Sequence, residues 1–160
     1  MNQHDNGMTR RTVFAAGALG AVAVAGFHGS VGTAAAAEMT AGEKANVALV
    51  NAFCKAWGDK ATTIDRLMAD MTDDCSFKLN GQPATIGKAK VAELFKTFFK
   101  DGTRYDMKIL ETFAKGPVVV HARIDTTVRA TKTDEPGPIV GIYVFKDAKI
   151  QEWEEVIYKA

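Results

Sequence analysis

Two stretches of this chain carry residue types that could do chemistry. In Val118-Val119-Val120-His121-Ala122-Arg123-Ile124-Asp125-Thr126-Thr127-Val128-Arg129 apolar and polar residues alternate. Strand side chains point to opposite faces in turn, so His121, Arg123, Asp125 and Thr127 share one face, and Val118, Val120, Ala122, Ile124, Thr126 and Val128 the other. Arg123 and Asp125 are then about 6–7 Å apart along the strand, near enough for their side chains to converge. In Ile150-Gln151-Glu152-Trp153-Glu154-Glu155-Val156-Ile157, the residues Gln151, Trp153, Glu155 and Ile157 share a face, while Glu152 and Glu154 take the solvated one. A carboxyl bracketed by Trp153 and Ile157 is partly desolvated, which raises its pKa toward neutrality. Two carboxyls sharing one site resist double ionisation, and a neighbouring guanidinium keeps one of them charged. Such a pair can give one proton and accept another in a single step. The plain alternative is a solvated sheet face with a surface ion pair, and a cavity lined by the polar face separates the two.

The balance of charge bounds the partners. The chain of 160 residues has 20 basic and 19 acidic side chains, without the basic stripe that a nucleic-acid surface needs. Length suits one compact domain. Small-molecule work is the natural expectation.

Residues 1–37 read as a cleaved export signal, outside the fold. Thr9-Arg10-Arg11-Thr12-Val13-Phe14 is a paired-arginine region, followed by a Gly- and Ala-rich apolar stretch from Ala15 to Phe27 and an alanine run from Ala34 to Ala37. That order is the export pattern, and the adjacent arginines resemble the twin-arginine type. The stretch is too short and too rich in small residues for a transmembrane helix. The mature chain is expected to begin near Ala37 or Glu38, as one domain over 38–160, periplasmic or secreted, with no stable membrane anchor. His4 and His28 fall in the signal, which leaves His121 as the histidine of the mature chain. Cys54 and Cys75 fit either a disulfide or two buried thiols.

Three helices precede a run of strands. From Ala41 to Trp57 the apolar positions Val47, Val50, Phe53, Cys54 and Trp57 recur at helical spacing, and Gly58 ends the helix. A short second helix follows Thr63, with Ile64, Leu67, Met68 and Met71 apolar. Cys75 to Leu79 alternates as a strand, closed by Asn80-Gly81-Gln82-Pro83. Lys88 to Lys100 carries the stripe Val91, Leu94, Phe95, Phe98 and Phe99, stopped by Asp101-Gly102. Strands are predicted over Arg104 to Ala114, Pro117 to Ala130, Ile139 to Lys146 and Lys149 to Tyr158, joined by Lys115-Gly116, a longer turn through Thr131 to Pro138, and Lys146-Asp147-Ala148; close turns between sequential strands imply antiparallel neighbours. The class is α+β, three N-terminal helices packed on a curved antiparallel or mixed sheet.

This order resembles the cone fold of nuclear transport factor 2 (NTF2-like), ketosteroid isomerase and the SnoaL-like polyketide cyclases. Within it, Arg123-Ile124-Asp125 followed one hairpin later by Trp153-Glu154-Glu155 resembles the limonene-1,2-epoxide hydrolase family, with its Arg-x-Asp strand and a second acid two residues after a tryptophan. The resemblance implies that Asp125 protonates the epoxide oxygen, that Glu155 takes a proton from water, and that Arg123 bridges them. The product is a vicinal diol, formed in one step without a covalent intermediate, metal or cofactor. The family's second acid is Asp, where this chain has Glu155. The family holds its water with a Tyr and an Asn on the first strand, and the matching positions here are Phe77 and Leu79. Asn80, one residue out of register, and His121 are the candidates to take over that task.

An apolar pocket is expected from Phe53, Trp57, Leu67, Phe77, Leu79, Leu94, Phe98 and Trp153, suited to a small hydrophobic substrate. Tyr105 and Tyr143 read as packing. The apolar outer face of the sheet predicts a homodimer through the sheet, as the resemblance also implies. Two other functions fit the same residues: a non-catalytic protein that binds a small apolar ligand, and an isomerase or cyclase that moves a proton on carbon with one of the two acids.

Overall fold

The computed structural model describes residues 38–158; residues 1–37, expected from the sequence to be an export signal, lie outside them. Helix α1 (Ala41–Gly58) begins at Thr40, whose hydroxyl accepts from the Glu43 amide at 3.2 Å, while Glu43 Oε2 accepts from the Thr40 amide at 2.7 Å. This reciprocal cap satisfies two donors that the first turn leaves open. The other oxygen of Glu43 accepts from Gly116 N at 2.7 Å, tying the helix start to a strand turn. Helix α2 (Ile64–Ala69) is capped by Thr63. Strand β1 (Met71–Leu79), the short β2 (Thr85–Ile86) and helix α3 (Lys88–Phe98) follow. After a 3₁₀ turn at Lys100–Gly102 come β3 (Arg104–Lys115), β4 (Val118–Val128), β5 (Gly137–Lys146) and β6 (Lys149–Ile157).

The six strands form one sheet in the order β2-β1-β6-β5-β4-β3. The sequential pairs β3-β4, β4-β5 and β5-β6 are antiparallel, the first and last joined by close turns and the middle pair by a longer loop. Strand β1 pairs with β6 in parallel, so the sheet is mixed. Two features differ from the sequence reading. Strand β1 starts at Met71, four residues before Cys75, because its pairing with β6 shifts register between Met71 and Ser76; the irregularity places Thr72-Asp73-Asp74 without apolar alternation. Strand β2 is only two residues long, too short to leave a periodic signal.

The helices cover one face of the sheet, and the core between them is aromatic. Trp57 meets Phe95 with ring centroids 4.9 Å apart and Trp153 at 5.3 Å, and Phe77 meets Trp153 at 4.7 Å. Edge-on and tilted contacts of this kind add to what burial of each ring contributes. Phe53 and Leu67 are fully buried in this cluster, and Leu94 packs at its margin. Cys54 and Cys75 are free thiols, both buried. Among the described residues no helix is long and apolar enough to cross a membrane.

Candidate active site

Alternation along β4 turns Val119, His121 and Arg123 inward, all buried, while Val118, Val120 and Ala122 face out and stay half-exposed. On β6 the inward residues are Trp153 and Glu155. Strand β5 separates β4 from β6, so a side chain on β4 can reach β6 only if the intervening residue leaves room. That residue is Gly141, which pairs with His121 on one side and Glu155 on the other. A Cβ there would lie 2.6 Å from Arg123 Nη1 and closer still to His121 Nε2. The missing side chain is the space through which the guanidinium crosses the sheet.

Arg123 is 1 % exposed, and each of its five N–H donors has a partner. Nε donates to Asp125 Oδ1 at 2.6 Å and Nη2 to Asp125 Oδ2 at 2.9 Å, a side-on fork. Nη2 also donates to Glu155 Oε1. Nη1 donates to His121 Nε2 at 2.8 Å and to the Tyr143 hydroxyl at 3.4 Å. Tyr143, fully buried, extends this network to Cys54 Sγ at 3.5 Å. Burial alone would pull the Arg123 pKa down, but Glu155, Tyr143 and Asp125 outweigh it and the guanidinium stays charged. Burial pushes the Glu155 carboxyl above its ordinary value; Arg123 opposes this and Asp125 adds to it.

His121 must accept at Nε2 from a permanent cation, so it is neutral with its proton on Nδ1. Burial and then Arg123 push its pKa down to about 3 from 6.5. A folded pKa below the unfolded one contributes stability that is complete above the unfolded value and lost as pH falls through the folded one. We expect stability to drain from pH 6.5 toward 3, with a limiting slope of about 1.4 kcal/mol per pH unit. His121→Gln, whose amide oxygen can still accept from Arg123, should flatten that slope in urea titrations repeated across this range.

The two carboxyls lie at a cavity of about 320 Å³. Its walls include Trp57, Phe77, Leu79, Phe98 and Trp153 together with Asp125 and Glu155. Of the remaining residues expected in the pocket, Phe53 and Leu67 sit behind the wall in the core, and Leu94 is not among the lining residues. The helical stripe that suggested them serves packing between helix and sheet. His121 also does not line the cavity, because Arg123 lies between it and the carboxyls. Asn80 is exposed, with φ of 48°, and its side chain accepts from Ile157 N at 3.4 Å. Neither Asn80 nor His121 is therefore in place to hold a water in the cavity.

The cavity also has walls that sequence reasoning missed: Tyr105, Met107, Thr127, Ile139 and, from the β4-β5 loop, Asp134 and Glu135. Tyr105 donates to the Phe98 carbonyl at 3.3 Å. Gly141 was detectable, since an isolated glycine within a strand pattern signals close approach of another group. Glu154 is paired with Lys78 at 2.7 Å, well away from the cavity walls, and Glu152 is exposed. Among the described residues no group of three His, Cys, Asp or Glu side chains is placed to share a metal ion.

Comparison with known proteins agrees with this architecture. The model of the SnoaL-like domain family matches residues 50–153. No curated protein sequence matches the chain. Among solved structures, an LEH-like epoxide hydrolase from M. tuberculosis superposes with a TM-score of 0.64 at 20% identity, covering 72% of this chain and 84% of that one. A polyketide cyclase candidate from Xanthomonas campestris pv. campestris gives 0.63 at 20% identity, covering 74% and 93%. A ketosteroid isomerase candidate from Kribbella flavida gives 0.57 at 15% identity, covering 74% and 81%. At such identities the likeness establishes the fold, which hosts several chemistries. A six-stranded mixed sheet with three helices on one side, matched over most of its length by the family model, places the chain in the SnoaL-like domain family, with the NTF2-like fold.

Proposed function

We propose that this protein is an epoxide hydrolase that adds water to a small hydrophobic epoxide and releases a vicinal diol. One observation carries the reading: Asp125 and Glu155, from strands two apart, accept from the same guanidinium nitrogen of Arg123 at the wall of a largely apolar cavity. Opening the ring requires a proton on the departing oxygen as its C–O bond breaks, and a water whose proton leaves as its oxygen bonds to carbon. Two carboxyls in opposite protonation states supply both, and the cation between them sustains the difference. The apolar walls hold the carbon skeleton against the pair. The epoxide-hydrolase neighbour and the Arg-x-Asp and Trp-x-acid placement support the same reading.

The test is diol formation from terpene, styrene and fatty-acid epoxides by the wild type, Asp125→Asn and Glu155→Gln. Each substitution is expected to lower kcat/KM by at least about 10²-fold. Full turnover in both variants would remove the proposed roles. Binding of these compounds without turnover would favour the ligand-binding reading, for which the apolar Phe77 and Leu79 speak, and proton exchange on a ketone would favour an isomerase.

The mature protein is proposed to act beyond the cytoplasmic membrane after twin-arginine export. Replacing Arg10 and Arg11 by lysine should leave it uncleaved in the cytoplasm, as N-terminal sequencing of fractionated cells would report. A homodimer through the sheet is also proposed. Phe113 is 64 % exposed and pairs with Val120, and Val120 pairs with Ile142, so one apolar patch crosses three strands and suits a two-fold contact with itself. Phe113→Asp should yield a monomer in light scattering.

A further inference from the structure

Resting on the hydrolase reading, we propose that the substrate carries a second, uncharged oxygen besides the epoxide, a ketone or ester carbonyl that accepts from the indole N–H groups of Trp57 and Trp153. The chain has two tryptophans, and both line the cavity. Each is 2 % exposed, and each Nε1 is buried with no acceptor in the protein. A buried donor without a partner is costly, and native proteins nearly always supply one from the chain, from water or from a ligand. Here two such donors sit on neighbouring rings, with centroids 5.3 Å apart.

The surroundings of the two rings leave the cavity as the source of an acceptor. Toward the core both rings pack on Phe53 and Phe95, which offer only π faces, weak acceptors at best. The Tyr105 hydroxyl donates to the Phe98 carbonyl, and the Tyr143 hydroxyl accepts from Arg123. The carboxyls of Asp125 and Glu155 are bound to Arg123. A water that meets the indoles in the resting protein has to be replaced in kind when a ligand fills the cavity, or its hydrogen bonds are lost. A purely hydrocarbon wall discriminates weakly between ligands, whereas a site built to hydrogen-bond an oxygen rejects the analogue that lacks it.

The charges of the cavity set the kind of oxygen. Apart from Tyr105 its ionisable walls are all acids, Asp125, Asp134, Glu135 and Glu155, and among the described residues no Lys, Arg or His lines it. Asp134 is held by Arg129 and Lys132, which are not wall residues, and Arg123 has every donor engaged. A carboxylate or phosphate on the substrate would meet like charges here and find no free cation. An indole nitrogen only donates, so the matching group is an acceptor. A hydroxyl would bring a donor of its own among aromatic rings. A carbonyl oxygen brings two lone pairs and can accept from both indoles.

Three probes on one terpene skeleton test this with the full chain: limonene, carvone, which adds a ketone oxygen to it, and perillate, which adds a carboxylate. A ¹⁵N NMR spectrum of the wild type shows one indole N–H signal for each of the two tryptophans, so the test needs no variant; Trp57→Phe and Trp153→Phe serve to assign the signals. Carvone should move both signals downfield and bind at least about tenfold more tightly than limonene, with perillate weaker than carvone. Indole signals that stay in place with carvone, equal affinity for limonene, or tighter binding of perillate overturns the proposal. Turnover is then compared on the isopropenyl epoxides of carvone and limonene, where kcat/KM should favour the ketone by about tenfold or more. If neither epoxide is opened while carvone still moves the indole signals, the hydrolase reading fails and the carbonyl subsite stands. If both are opened at equal rates and the signals do not move, the subsite fails and the hydrolase reading stands.

Discussion

Replacing Arg123 by methionine should abolish turnover and lower stability by about 3–5 kcal/mol, the cost of removing one partner from a buried charged set. The substitution keeps much of the side chain's bulk, so cavity formation is a small part of the loss. What goes is the counter-charge of two inward carboxyls and the partner of His121 and Tyr143. Without the cation nothing opposes the rise that burial imposes on the Glu155 carboxyl, which is expected to hold its proton to higher pH. Groups whose folded pKa lies above the unfolded value contribute stability that is lost as pH rises through the folded value. The variant should therefore weaken from acid toward neutral pH, opposite in sign to the His121 effect in the wild type. Arg123→Lys keeps a charge with three donors instead of five. It should recover part of the stability and little activity, because a point charge cannot fork Asp125 while reaching Glu155. Urea unfolding at several pH values, with diol assays beside it, measures both effects.

Gly141→Ala should be nearly as damaging to activity, through geometry instead of charge. One methyl would occupy the channel through which Arg123 crosses β5. Overpacking of this kind typically costs about 1–3 kcal/mol, and displacing a positioned group by about 1 Å can cost 10²-fold in rate. We expect a folded protein with an intact circular dichroism spectrum and at least a 10²-fold loss in kcat/KM. Gly42→Ala is the matched control, since nothing lies within 4 Å of its added Cβ; it should keep full activity. Equal activity in the two variants would show that the guanidinium does not need that space.

Helices and hairpins were legible in the sequence because each is written in local periodicity. The inward set His121, Arg123 and Asp125 follows from two-residue alternation alone, and so does Trp153 with Glu155. The parallel pairing of β1 with β6 leaves no local trace, because it joins strands separated by α3 and four further strands. Burial depth was equally hidden. A stripe on a helix tells which side faces the sheet, but Phe53 and Leu67 lie too deep to line the cavity while Phe98 reaches it. His121 shares a face with the carboxyls yet sits behind Arg123, since register against Gly141 sets the order of the layers. The loop residues Asp134 and Glu135 came into the cavity by tertiary folding, and no pattern in the sequence marks them.

Hydrolysis of an epoxide in ¹⁸O-labelled water under single-turnover conditions tests the central claim most directly. Enzyme in excess over substrate gives each site one chance to react. If Asp125 and Glu155 act only as proton carriers across Arg123, the first diol formed contains one labelled oxygen. A first-turnover diol without label would mean that a carboxyl oxygen of the protein attacked the ring, which contradicts the account.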